Sequence, residues 1–145
     1  MRRIHDTLTM DFFEVPHEHD RLPGALNIGL QLRHLISDEL KRSPLSRYQI
    51  ASRMSELLGV EITKHQLDAW TAESRDGWRF PLEYLPALEA ALETHAITRL
   101  ISDVRGCRLL IGKEALNAEL GKLERLRDEA AKRIKHIKHV MGDVE

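Results

Sequence analysis

A single cysteine, Cys107, stands among 145 residues, so the chain cannot form an internal disulfide and suits a reducing compartment. Aromatic residues make up only 5% and strand-like alternation is nearly missing, which argues against a β-rich fold. No apolar run nears the roughly 20 residues that span a bilayer. Arg2 and Arg3 are followed by polar, acidic sequence unlike a signal peptide. A cytoplasmic protein with no membrane contact is expected. The net charge of −1 withholds the general basic footprint of most nucleic-acid-binding domains. Catalytic signatures are missing too: there is no Gly-x-Ser-x-Gly, no metal-spaced Cys/His set and no glycine-rich loop before a helix. Gly106 and Gly112-Lys113 have five residues between the glycines, and Glu114 stands where a phosphate loop needs Ser or Thr. His17-Glu-His19 has no further ligand cluster to complete a metal site. No catalytic residue, metal or cofactor is expected.

What is present reads as helix. An apolar fraction of 42% supports a core, and 31% charged residues suits a helical surface. The stretch from Leu45 to Pro86 organises the rest. Ser46 and Gln49 have the spacing of a capping box, in which the hydroxyl takes an N3 amide and the Gln side chain reaches back to the cap amide. Thr63 and Gln66 repeat the device. Leu45 with Ile50, and Ile62 with Leu67, stand at the positions of a hydrophobic staple. Gly59 is a natural C′ residue between the two. Two helices joined by a short connection are predicted, the first burying Ile50, Ala51, Met54, Leu57 and Leu58, the second Leu67 and Trp70.

This pattern resembles the lambda-repressor-like helix-turn-helix domains. The family pattern Leu-Ser-x-x-x-Ile-Ala-x-x-Met is met by Leu45, Ser46, Ile50, Ala51 and Met54, and its later apolar residue and Trp by Leu67 and Trp70. The turn Gly59–Ile62 is longer than the family's, and Glu73–Arg79 replaces a compact Gly turn. The resemblance covers roughly residues 27–105. It implies that the helix after Thr63 enters the DNA major groove through Lys64, His65, Gln66 and Asp68, with Arg47 facing a phosphate. It also implies that the following loop lies along the DNA backbone, where Arg75 and Arg79 neutralise phosphates. The words Leu-Asp-Ala-Trp-Thr-Ala-Glu-Ser-Arg, Arg-Phe-Pro-Leu-Glu-Tyr-Leu-Pro-Ala-Leu and Gly-Cys-Arg-Leu-Leu look like small proteins encoded near the transposition genes of Mu-like phages and prophages.

Around this centre four segments are expected. Residues 1–26 form an extended or disordered, acidic arm interrupted by Pro16, Pro23 and Gly24, with Leu8–Pro16 apolar enough to dock on the body or on a phage or host protein. Residues 27–106 form an all-α, five-helix domain. Asn27 caps its first helix, which runs to about Lys41, and Pro81 and Pro86 open successive helices. In the loop before them, Trp78 reads equally as a core plug. Residues 107–112, with the only strand-like run, Cys107–Ile111, form an extended connector or a paired edge. Residues 113–145 form one long helix. Leu116, Leu123, Ala130 and Ile137 recur every seven residues, and Leu120 and Ile134 fill the second seam position, which Arg127 interrupts. That seam predicts a homodimer, and an antiparallel return of the helix onto its own domain would show the same stripe. The basic run Lys132–Lys138 reads as a solvated helix end complementing its dipole. The function expected is a sequence-specific, DNA-binding transcriptional regulator of a phage or prophage, acting on double-stranded DNA as a dimer. The rival is a non-catalytic protein–protein adaptor on the same scaffold.

Overall fold

The computed structural model describes residues 17–18, 21–75 and 77–143. The apolar part of the arm, Leu8–Pro16, and His19 lie outside the described residues. The regular elements among the described residues are all helices: α1 (Gly29–Arg42), α2 (Arg47–Leu58), α3 (Lys64–Thr71), a 3-10 turn (Leu82–Tyr84), α4 (Leu85–Leu92), α5 (Ala96–Val104) and α6 (Lys113–Gly142). No strand occurs among them, only an isolated antiparallel bridge between Glu18 and Arg105. The chain divides into two compact units, one ending at Leu109 and one beginning at Leu110.

In the first unit the local rules hold at both predicted helix starts. Ser46 Oγ accepts the Gln49 amide at 3.2 Å, while Gln49 Oε1 accepts the Ser46 amide at 2.8 Å. Thr63 and Gln66 form the same reciprocal pair, at 3.2 and 2.8 Å. Gly59 ends α2 at φ 68°, the left-handed region where a side chain is costly. The turn between the helices has a further fastener. Ser55 Oγ, one turn before Gly59, accepts the Ile62 amide at 2.8 Å and donates to the Ala51 carbonyl at 2.8 Å. This ties the entry to α3 onto the body of α2, so the longer turn is held from inside.

The apolar faces converge as their 3–4 residue spacing dictates. α2 packs on α3 and α4, and α1 on α3 and α5. Ile36 of α1, Ile50 and Met54 of α2, Leu67 of α3, Leu88 of α4 and Ile97 of α5 are fully buried at the centre. Trp70 stands edge-on to Phe80, with centroids 5.2 Å apart at 82°, and tilts against Tyr84 at 6.0 Å. Such pairs add to area burial because ring edges and faces carry opposite partial charge.

Some expectations are corrected. Asn27 is not the cap of α1; Ile28 occupies that position and Asn27 Oδ1 accepts the Gly29 amide from one residue further out. Leu57 is 47% exposed, because its position on α2 falls beyond the stripe set by Ile50 and Met54. Trp78 is 49% exposed and no core plug; Trp70 already fills that place. Cys107–Ile111 makes no strand, having no ladder partner among the described residues. Instead the end of α5 meets the arm. Gly106, at φ 66°, lets the backbone of His17 and Glu18 approach so closely that a Cβ there would stand 2.6 Å from the Glu18 nitrogen.

The start of α5 has no side-chain cap of its own. Glu89, buried on α4, supplies one from another helix. Its Oε1 accepts the Ile97 and Thr98 amides at 2.9 and 2.8 Å, and its Oε2 accepts the Thr98 hydroxyl at 2.6 Å. A carboxylate at a helix N-terminus meets both open amides and the positive end of the dipole. Glu89→Ala strands those donors in the interior and should cost about 3 kcal/mol in urea denaturation. Ser46→Ala should cost about 1 kcal/mol, since water can reach that cap.

Candidate nucleic-acid interface

The residues expected to touch DNA fall on α2, α3 and the loop after α3, and the structure treats them unequally. Arg47 begins α2 and points across to α3. Its Nη1 donates to Asp68 Oδ1 at 2.8 Å and to Thr71 Oγ1 at 3.1 Å. Lys64, at the first position of α3, donates to Asp68 Oδ2 at 2.6 Å, one turn along the same helix. Its ammonium also lies 5.5 Å from the centroid of the Tyr48 ring. Arg47, Lys64 and Asp68 thus form one cluster in which two cations share one carboxylate. That cluster carries one net positive charge, half of what its two cations promise.

The Asp68 carboxyl is held below the usual carboxylate range. The hydrogen bond from Lys64 is the largest cause, partial burial opposes it, and the charges of Lys64 and Arg47 add to the lowering. The group is more than a third exposed, so solvent screens much of this attraction. Its structural role is to clamp the first turn of α2 to the middle of α3.

Gln66 is committed as well. Its Oε1 accepts the Thr63 amide in the capping box, which leaves only the amide Nε2 to face outward as a donor. A bidentate adenine contact needs both the oxygen and the nitrogen of the amide. A two-bond adenine contact would therefore compete with the cap for Oε1, whereas donation from Nε2 would not. His65, between these two, is exposed.

The loop splits its arginines. Arg75 lies over the Trp78 ring, 5.9 Å from its centroid, in a cation–π arrangement at the surface. Arg79 faces elsewhere. With Gly29, Leu32 and Arg33 of α1, and with Trp70 and Phe80, it lines a cavity of about 170 Å³. Sequence reasoning missed the residues that fix the far end of α3. Arg33 Nη1 donates to the Ala72 and Glu73 carbonyls at 3.2 and 3.4 Å, and His34 pairs with Glu73. Carbonyls left open at a helix end attract a cation, but the donor lies 39 residues upstream and no local pattern announces it. α3 is therefore held at its start by Thr63 and Gln66, in its middle by Arg47, and at its end by Arg33.

Among the described residues no three His, Cys, Asp or Glu side chains gather as metal ligands, and no helix is long and apolar enough to cross a membrane. Comparison with protein-family profiles, with curated proteins and with solved structures gives no match to this chain.

The clamp predicts an acid dependence with a definite sign. A carboxyl whose folded pKa is depressed contributes stability above its unfolded pKa, and loses it as pH falls through the folded value. Asp68→Asn should therefore lower the denaturation midpoint at pH 6. The gap between variant and parent should start to narrow as pH falls into the ordinary carboxylate range and close only below that range, once the folded carboxyl also protonates.

Proposed function

We propose that the chain is a DNA-binding transcriptional regulator of a phage or prophage, working in the cytoplasm as a homodimer, with α2 and α3 as a lambda-repressor-like helix-turn-helix. The observation that carries the reading is the pair of reciprocal capping boxes. They set two helices around a braced turn and leave Lys64, His65 and Gln66 on the outer side of the first turn of α3. Major-groove readers place polar residues at that end of their second helix. Rigid mounting of α3 at three points supports the same reading, because base contacts need side chains held in register with the groove. In this reading Lys64 and Gln66 donate to base edges, and His65 and Arg75 meet the backbone. Arg47 sets the angle between the helices instead of meeting a phosphate. No residue has a catalytic role, and no cofactor is used.

One observation favours a second reading, a non-catalytic protein–protein adaptor on the same scaffold, reaching a phage or host protein through its arm. Asp68 neutralises part of the charge at the start of α3, and the whole chain carries −1.

Selection from a random duplex library separates the two. The regulator enriches a sequence; the adaptor enriches none and is not retained on bulk DNA at low salt. Gln66→Glu keeps the capping acceptor and turns the outward donor into a carboxylate. It should leave stability unchanged and reduce specific binding by about 1–3 kcal/mol. Arg75→Ala should weaken binding on every sequence and flatten the salt slope by about one. Asp68→Asn should raise affinity for bulk DNA, since it releases two cations.

Dimerisation is assigned to α6, through Leu116, Leu120, Leu123, Ala130, Ile134 and Ile137. Leu123→Glu buries a carboxylate without a partner in that seam. Sedimentation at micromolar concentration should show the parent as a dimer and this variant as a monomer with weakened DNA binding.

A further inference from the structure

α6 is 30 residues long and buries none of them. Its seam leucines and isoleucines, Leu116 through Ile137, are 54–71% exposed. In heptad terms Leu116, Leu123, Ala130 and Ile137 take one seam position and Leu120, Arg127, Ile134 and Met141 the other. Glu119 and Arg133 then fall on one flank of the seam, Glu124 and Lys138 on the other.

We infer that α6 pairs with α6 of a second copy in antiparallel orientation, in the register that sets Leu120 against Ile137 and Arg127 against Ala130. The inference rests on the self-pairing proposed above and on nothing about DNA. Flanking charges set orientation in paired helices. A parallel pair brings Glu119 beside Glu124 and Arg133 beside Lys138 of the other copy, each contact twice by symmetry. It also lays the run Lys132–Lys138, with four basic residues and no acid, along its own copy. In an antiparallel pair each flank meets the same flank of the other copy with its ends reversed, so Glu119 lies toward Arg133 and Glu124 toward Lys138 of the other copy.

The seam itself selects the register. Leu123 meets Ile134 and Leu116 meets Met141, so nearly the whole helix is covered. Arg127, the one charged seam residue between Leu116 and Met141, faces Ala130, the smallest one available. A slip of one heptad in either direction sets Arg127 against Leu123 or Ile137 instead, crowding a guanidinium with a branched apolar side chain. Arg127 also has its counter-ion beside it: its Nε and Nη2 donate to Asp128 at 3.1 and 3.0 Å. Gly121, which would weaken a packed face, lies off the seam.

Spin-label distances on the full-length chain test this. In a Cys107→Ser background, a label is placed at Ala118→Cys or, separately, at Arg125→Cys, both opposite the seam. The antiparallel register offsets the paired labels along the axis by about 32 Å at 118 and about 11 Å at 125. The measured separation at 118 should exceed that at 125 by about 10 Å or more. Equal distances at the two sites in a sample that sediments as a dimer overturn the orientation and leave the pairing standing. Axial offsets changed by about 11 Å at both sites overturn the register. A monomer in sedimentation overturns both the pairing and this inference. Duplex selection with the same protein reports separately on DNA binding.

Discussion

Open amides at helix starts are the constraint on which the first unit depends. A helix leaves its first amides without internal partners, and α2, α3 and α5 each solve this with a side chain that also fixes a direction. Ser46 and Thr63 solve it locally. Glu89 solves it across space, and in doing so locks the angle at which α5 leaves α4. Ser55 extends the same logic to the turn, because the Ile62 amide it holds lies immediately before the Thr63 cap. With α2, α3 and α5 so directed, Met54, Leu67 and Ile97 meet Leu88 of α4 at the fully buried centre.

The same placement explains why a basic-looking motif yields so little free charge. Arg47, Lys64 and Asp68 are spaced 17 and 4 apart in sequence, and the α2–α3 angle brings all three together. Arg47 and Lys64 hold the carboxylate that clamps the helices, so electrostatics serves positioning first. On the reading proposed here, such a surface depends on geometry more than on bulk attraction, which agrees with a near-neutral chain. Lys64 can exchange Asp68 for a stronger acceptor at modest cost, because the pair is partly exposed.

The sequence was legible where the interaction is short-range. Both capping boxes and the length of α6 follow from spacings of three, four or seven residues, while Gly59 and the prolines at 81 and 86 mark ends and starts through their own backbone preferences. Contacts that join distant segments were not legible. Glu89 reads as an ordinary surface acid on an amphipathic helix until α5 is folded beside it. Arg33 and Arg47 read as surface cations, yet one holds carbonyls at the end of α3 and the other holds Asp68 and Thr71 within it. The spacing with Leu67 already places Trp70 in the core, whereas Trp78 lies in a loop with no periodic neighbour to place it, and it stands exposed. The cap of α1 shows a subtler limit, since an Asn one position early can bond the right amide without being the cap.

Helix α6 carries the last step. A helix with no buried residue relies on propensity alone unless a partner covers its apolar stripe, and tertiary packing supplies most helix stability in proteins. In the pairing proposed for α6 that stripe is the seam from Leu116 to Met141. Its interruption at Arg127 makes the covering selective, because only a facing residue as small as Ala130 leaves the guanidinium room beside Asp128.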